Sequence, residues 1–441
     1  MILSIYFASV VALIFIGFRI AKTTGATKFL VIGHLSFLFL GLIVRPIILY
    51  VKQPNPEYGD SFADSRLLVS GSYNQAILAI GVRTLFGIVL FGFFLQLFRK
   101  ISIFDFRARG RGDTTLKLGL VPVFIVLGAS LLTNFIEYTG LSQSRFLTWV
   151  SVAALPCIGL ALQLIFQMPL PRLLNFTLII FIGIIALILS ILQASKSPIF
   201  FYIFIVLLVS FEKLKSNKSF RLLRKIFGIS CIVLIASIFV FPYIQNLKDG
   251  EELTALNDRL GKKYFGSFPA IYIILKRFDL FRAVSDVWFV GQGAWYSFPE
   301  YVGIMRKALE WNFGTMEPNF GGQWAIHVLQ HSSDTTLSSV VSLSQSSIAE
   351  GWLLGGFYGI LFTYGLFSLI ILCIGTMTNG NLFFRLIALY VISSNSIFEG
   401  GVIANLESIS TGTRTAIITW IGLVALSGAT TIRAKSVNGI H

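Results

Sequence analysis

The sequence predicts an all-α polytopic integral membrane protein, with about 11 transmembrane helices and one large extracytoplasmic loop domain. Three observations predict it. Of the 441 residues, 55% are apolar and only 12% are charged, whereas a soluble domain carries about 25% charged residues. The mean hydropathy is +0.80 and 42 residues are Phe, which excludes an ordinary water-soluble enzyme, a disordered chain and a disulfide scaffold. Finally, long apolar runs recur at about 2–18, 29–51, 76–98, 118–136, 147–168, 174–193, 198–211, 226–243, 351–374, 385–398 and 415–432. A span needs about 20 apolar residues, so eleven of them occupy half of the chain. Helices are expected because backbone groups in hydrocarbon must be satisfied within the segment or by a closed barrel. A barrel would alternate polar and apolar residues, and these runs do not.

The first run, MILSIYFASVVALIFIGF, lacks the basic start and small-residue cleavage site of a signal peptide and reads as the first span. Runs 198–211 and 385–398 are short, and are expected to extend into their polar flanks. The three cysteines, Cys157, Cys231 and Cys373, lie far apart inside apolar runs, without metal or disulfide spacing. They read as packing residues.

Lys and Arg number 35 against 20 Asp and Glu, a net charge of +15. These basic residues fall between the apolar runs, not in the interleaved pattern of a nucleic-acid groove, so no nucleic-acid partner is expected. With the N-terminus outside, the segments facing the cytoplasm hold 19 Lys and Arg and the short outer loops hold 5. That bias predicts an outer N-terminus and a cytoplasmic C-terminus. The chain then divides into spans one to eight (1–243), an outer segment (244–350) and the last three spans (351–441).

The outer segment is too polar to span and carries Trp288, Trp295, Trp311 and Trp324, which suits a folded, partly membrane-embedded cap. Residues 268–290 have the pattern of an amphipathic interfacial helix, with Lys276, Asp279, Arg282 and Asp286 on one stripe. No internal repeat is visible, which argues against an inverted-repeat transporter.

Ionisable groups inside spans are costly and usually face a cavity. Arg83 and Arg45 lie in apolar runs and either snorkel to the outer interface or face such a cavity. His34, near the inner end of the second span, reads as a packed residue. Lys196 in a tight turn, Arg414 just before the last run, and Arg277 and Arg282 in the outer segment could converge on a polyanion. Arginine offers bidentate bonds and keeps its charge when buried, as a diphosphate requires. The alternative is an interfacial anchor or a local ion pair, and Asp279 and Asp286 flank Arg282 for that purpose. His327 and His331 are spaced to share a helix face. They fit a surface-polar pair, a general base or substrate hydrogen bond, or a metal pair, though the metalloprotease pattern is absent. Glu350 enters the ninth span beside small residues that let helices pack closely. It is either a helix N-terminal charge or a cavity-facing acid or base.

With these residues in hand, the chain resembles the O-antigen polymerases, the oligosaccharide repeat-unit polymerases of the Wzy type. The layout is similar throughout, and about 40 residues match in detail. SSIAEGWLLGGFYGILFTYGLF resembles the family's Ser-rich stretch followed by a Glu, an aromatic and glycines opening a helix, with Glu350, Gly356 and Gly359 at the matching positions. SKSPIFF at 195–201 is similar to the family's basic turn, with Lys196 where Arg is usual, and GTRTAI at 412–417 has a similar look. The resemblance implies a GT-C-like architecture in a bacterial inner membrane and an N-terminus on the periplasmic side. It implies a glycosyltransferase that moves a growing glycan from undecaprenyl diphosphate onto the next lipid-linked repeat unit, in polysaccharide or lipopolysaccharide biosynthesis. Partners would be the undecaprenyl-diphosphate-linked oligosaccharide, membrane lipid, and a flippase and chain-length regulator. No cofactor or metal is implied. Glu350 or His331 would be the base. Arg277, Arg282, Lys196 and Arg414 would hold the departing diphosphate, and His327 and Arg83 would bind the diphosphate or the glycan.

Two other readings fit parts of the pattern. An O-antigen ligase or another polyprenyl-lipid-dependent transferase could use outer carboxylates with a metal ion, a part open to Asp60 and Asp64, although these read better as a solvated loop. A lipid-linked oligosaccharide flippase would also gather cations in a cavity, but would break no bond.

Overall fold

The computed structural model describes residues 1–20, 25–52, 73–101, 119–139, 150–168, 170–193, 197–214, 228, 297–310, 346–378, 380–394 and 396–437. Among the described residues every regular element is helical, and eight helices are long and apolar enough to cross a membrane. Two shorter apolar helices, 198–209 and 382–393, accompany them. The chain is a helical, membrane-embedded protein. The run expected at 226–243, Gly228 apart, lies outside the described residues, as does most of 244–350.

The chain separates into two compact units. The first comprises 1–104, 257–374 and 396–410, and the second 105–256, 375–395 and 411–441. In the first unit lie α1 (Ile2–Ile20), α2 (Gly25–Leu38), α3 (Arg45–Lys52), α4 (Tyr73–Ile101) and α9 (Phe298–Leu309). It also takes most of α10 (Ser347–Met377), α12 (Ser396–Glu399) and the start of α13 (Val402–Val437).

Without a hydrophobic drive between helices in lipid, small residues that admit close contact decide what packs. Helix α4 places Gly81 and Gly92 three turns apart, hence on one face. A Cβ on Gly81 would lie 3.1 Å from the Tyr6 ring, and one on Gly92 would lie 2.8 Å from Ile16, so α1 seats on this glycine face. The Tyr6 hydroxyl donates to the Ile77 carbonyl at 2.8 Å. Between α2 and α3, residues Phe39–Val44 wind as a π-helix in which the Arg45 N–H reaches back to the Leu40 carbonyl. The widened turn ends beside Pro46, which has no N–H to give the ladder.

Helix α10 is not one straight rod. Gly355 is extended, and Gly356 has φ 61° and ψ −130°, a left-handed conformation open to glycine. The chain reverses there. The Thr363 hydroxyl donates to the Ser347 carbonyl at 2.7 Å, whereas sixteen residues of straight helix would separate them by about 24 Å. A Cβ on Gly351 would lie 2.6 Å from Ile360 Cα, so the two limbs touch backbone to backbone. The run expected as a single span from 351 is therefore a helical hairpin. A short limb, 347–354, folds back on a long one, 357–377, which at about 32 Å is itself of spanning length.

The second unit is built around α6 (Ala154–Gln167), with α5 (Leu120–Tyr138), α7 (Arg172–Leu192), α8 (Ser197–Leu214) and α11 (Leu382–Ser393). Helix α6 is buried on nearly every side, and Cys157 is one of its packed residues. A Cβ on Gly159 would lie 2.9 Å from both Leu389 and Phe201, which brings α11 and α8 onto α6. Asn134 donates to the Ser151 carbonyl at 3.1 Å and accepts from Gln193 at 2.9 Å, so this buried amide of α5 is hydrogen-bonded through both its groups.

Two expectations change here. The run 385–398 was expected to extend as one span, but α11 closes at Ser393, where the Ser393 and Ser394 hydroxyls turn back onto the Tyr390 and Val391 carbonyls. The stretch before the last span, expected to be a loop, is helical from Val402. Its hydroxyls bond along the helix, as Thr415 does to the Thr411 carbonyl at 2.9 Å.

Candidate functional site

The short limb of α10 carries Glu350 into the interior of the first unit, where the residue has no exposed surface. Its Oε2 accepts the Val402 N–H at 2.8 Å and the Tyr301 hydroxyl at 3.2 Å, and the Ile403 N–H also reaches the carboxyl. Val402 and Ile403 open α13, whose first N–H groups have no intrahelical acceptor. Glu350 thus supplies that acceptor from a residue 52 positions earlier in the chain. Of the two readings open for Glu350, this geometry matches the helix N-terminal one, with α13 in place of α10 as the helix served.

The segment ahead of α13 is held from three sides. Gly400 has φ 88°, a backbone that favours glycine. The Ser347 hydroxyl donates to the Gly400 carbonyl. Two residues earlier, His34 Nδ1 donates to the Phe398 carbonyl at 2.8 Å, which fixes the proton on Nδ1 because a carbonyl only accepts. Phe398 lies over Gly33, with Phe29 and Phe37 against its ring at 6.2 and 5.9 Å. His34 is fully buried, with Phe367 and Phe91 centred 4.6 and 4.9 Å from its ring.

Tyr301 arrives on α9, the described helix within 244–350. A capping box starts that helix: the Ser297 N–H and hydroxyl both donate to Glu300, at 2.6 and 2.8 Å. The bond from the Ser297 backbone, then that from its side chain, holds the Glu300 carboxyl below its usual range.

Arg83 lies on α4, 3% exposed. Its guanidinium sits 3.4 Å from the centre of the Trp352 ring, a cation–π stack with the short limb of α10 two residues beyond Glu350. Phe357, just past the reversal, packs against both Trp352 and Phe86 at 5.4 and 5.1 Å. Arg45 is also buried, at 7% exposure, so both side chains are packed inside the protein. In Arg83→Lys the charge stays and the planar stack is lost, so about 1 kcal/mol of stability should go with it. Trp352→Leu should cost a similar amount, and the double variant little more than either alone, as melting of the purified proteins would read.

Of the residues expected to form the site, Glu350 and Arg83 are brought to the same hairpin. Arg414 lies in the second unit, in the body of α13, with its guanidinium 3.3 Å from the Thr411 hydroxyl and near Tyr390. His327, His331, Arg277, Arg282 and Lys196 lie outside the described residues. Sequence reasoning missed Trp352, Tyr301 and the first turn of α13. The Gly355–Gly356 pair was a usable signal for the reversal; Tyr301 carried none. Comparison with family models, with curated proteins and with solved structures finds no match for this chain.

Proposed function

We propose that the protein is an oligosaccharide repeat-unit polymerase. It transfers a growing glycan from undecaprenyl diphosphate to the next lipid-linked repeat unit on the outer side of a bacterial inner membrane. The N-terminus is periplasmic and the C-terminus cytoplasmic, following the distribution of Lys and Arg. The observation that carries the reading is the α10 hairpin, which sets a buried cation, Arg83, against Trp352 beside Glu350 in an apolar unit.

In the reaction the acceptor hydroxyl attacks the anomeric carbon of the donor glycan. The bond from that carbon to the diphosphate oxygen breaks, and the hydroxyl proton passes to a base. Charge growing on the leaving lipid diphosphate calls for cations already in place, the role given to Arg83, Arg277, Arg282, Lys196 and Arg414. Because Glu350 is occupied by α13 and Tyr301, His331 is the preferred base, Glu350 positions α13, and His327 binds glycan. Deleting the gene should abolish long surface glycans while single repeat units are still exported, as gels and mass spectrometry would read. Loss of every exported unit would instead identify a flippase or an earlier transferase.

A further inference from the structure

Helix α9 has two apolar sides of different fate. Tyr301 is buried, and Ile304 and Ala308, one and two turns on, are half-buried on the same side. Beside them Phe298, Val302, Met305 and Leu309 recur at the spacing of a second helix stripe. Of that stripe, Phe298, Val302 and Leu309 stay 52%, 45% and 47% exposed. The remaining side is polar: Glu300, Arg306, Lys307 and Glu310 are exposed there, with Arg306 donating to Glu310 at 2.8 Å.

The neighbours of α9 decide what covers the exposed stripe. Phe298 packs edge-on against Phe362, with ring centres 5.2 Å apart. Phe362 lies on the long limb of α10, about 8 Å beyond its first residue. That limb is of spanning length, and interfacial helices lie about 5–10 Å into the boundary between headgroups and acyl chains. Tyr358 and Leu361 on the same limb are exposed, as lipid-facing residues of a span are. At the other end of α9, the Leu309 carbonyl accepts the Ser410 hydroxyl at 3.4 Å, within the apolar window of α13. Both ends of α9 are therefore tied to helices of spanning character. Four side chains also fall well short of the roughly 20–30 residues a side that a specific protein interface uses, which disfavours a second copy of the chain. We infer that α9 is an interfacial helix: its stripe of Phe298, Val302, Met305 and Leu309 lies among the acyl chains of the bilayer, and its charged side faces the headgroups. The contact does not depend on the reaction proposed above. Through the bond from Tyr301 to Glu350 it ties a lipid-seated helix to the α10 hairpin.

The test uses the full-length protein in vesicles of phosphatidylethanolamine and phosphatidylglycerol, with a bimane label carried by Val302→Cys or by Gly303→Cys. These positions adjoin in the chain and fall on the apolar and the charged sides, and a Cβ at Gly303 meets nothing within 4 Å. Labelled wild type supplies the background from Cys157, Cys231 and Cys373. Doxyl-labelled phosphatidylcholine mixed into the vesicles should quench the label at 302 several-fold more than the label at 303, and aqueous iodide should give the reverse order. Equal quenching of the two positions by either agent would overturn the inference. So would a label at 302 that neither agent reaches, which would show protein on the stripe, another segment of the chain or a second copy. Should Val302→Cys fail to fold, Leu309→Cys takes its place with the same expected and overturning results.

Discussion

Glu350→Gln is expected to leave the protein folded and chain extension intact, whereas Glu350→Ala should cost about 2–4 kcal/mol. The amide carbonyl of Gln can still accept the Val402 and Ile403 N–H groups, so its change should cost about 1 kcal/mol. Alanine leaves those two N–H groups buried at the start of α13 and also strips Tyr301 of its acceptor. Thermal melting in detergent checks the first part, and the length of surface glycan checks the second. A Glu350→Gln protein that melts like the wild type yet extends no chains would make Glu350 the base and remove His331 from that role.

The glycines of α10 should respond in a graded series. Gly351→Leu would drive a side chain into Ile360 Cα and N, each 2.6 Å from its Cβ, and backbone cannot step aside as a side chain can. A loss of about 3 kcal/mol is expected. Gly356→Ala places a side chain at φ 61°, ψ −130°, a strain of about 1–3 kcal/mol. Gly355→Ala meets nothing within 4 Å on an extended backbone and should be close to neutral. Melting temperatures ordered Gly351→Leu lowest and Gly355→Ala highest would bear out the hairpin. A straight α10 would make all three nearly equal.

Most of the spans were legible because apolar length alone implies a helix in lipid: the windows 2–19, 74–99 and 173–192 fall within a few residues of the runs read from the sequence. What length cannot convey is direction inside a run. Residues 347–377 have a mean hydropathy of 2.2 taken as one stretch, so hydropathy passes over the reversal at Gly356, which is set by backbone dihedrals. The start of α13 was hidden for the opposite reason. ESISTGTRT (407–415) is polar enough to read as loop, and the first turn of α13, at Val402, is secured by a carboxyl 52 residues away. Arg83 could be singled out as a costly charge in an apolar run, but its stacking on Trp352 depends on the fold-back. His327, His331, Arg277, Arg282 and Lys196 could be proposed from residue chemistry and spacing alone.

The dependence of α13 on Glu350 has a consequence for biogenesis. The Val402–Ser427 window has a mean hydropathy of 1.3, the lowest among the eight spanning candidates of the described residues. Its opening turns hold Asn405, Glu407, Ser408 and Ser410, a poor substrate for lateral release from a translocon. The more apolar stretch from Ala416 onward should therefore partition first, as it leaves the ribosome. The opening turns would follow only when the earlier hairpin presents its carboxyl, so the last helix is threaded into the bilayer by a segment made long before it.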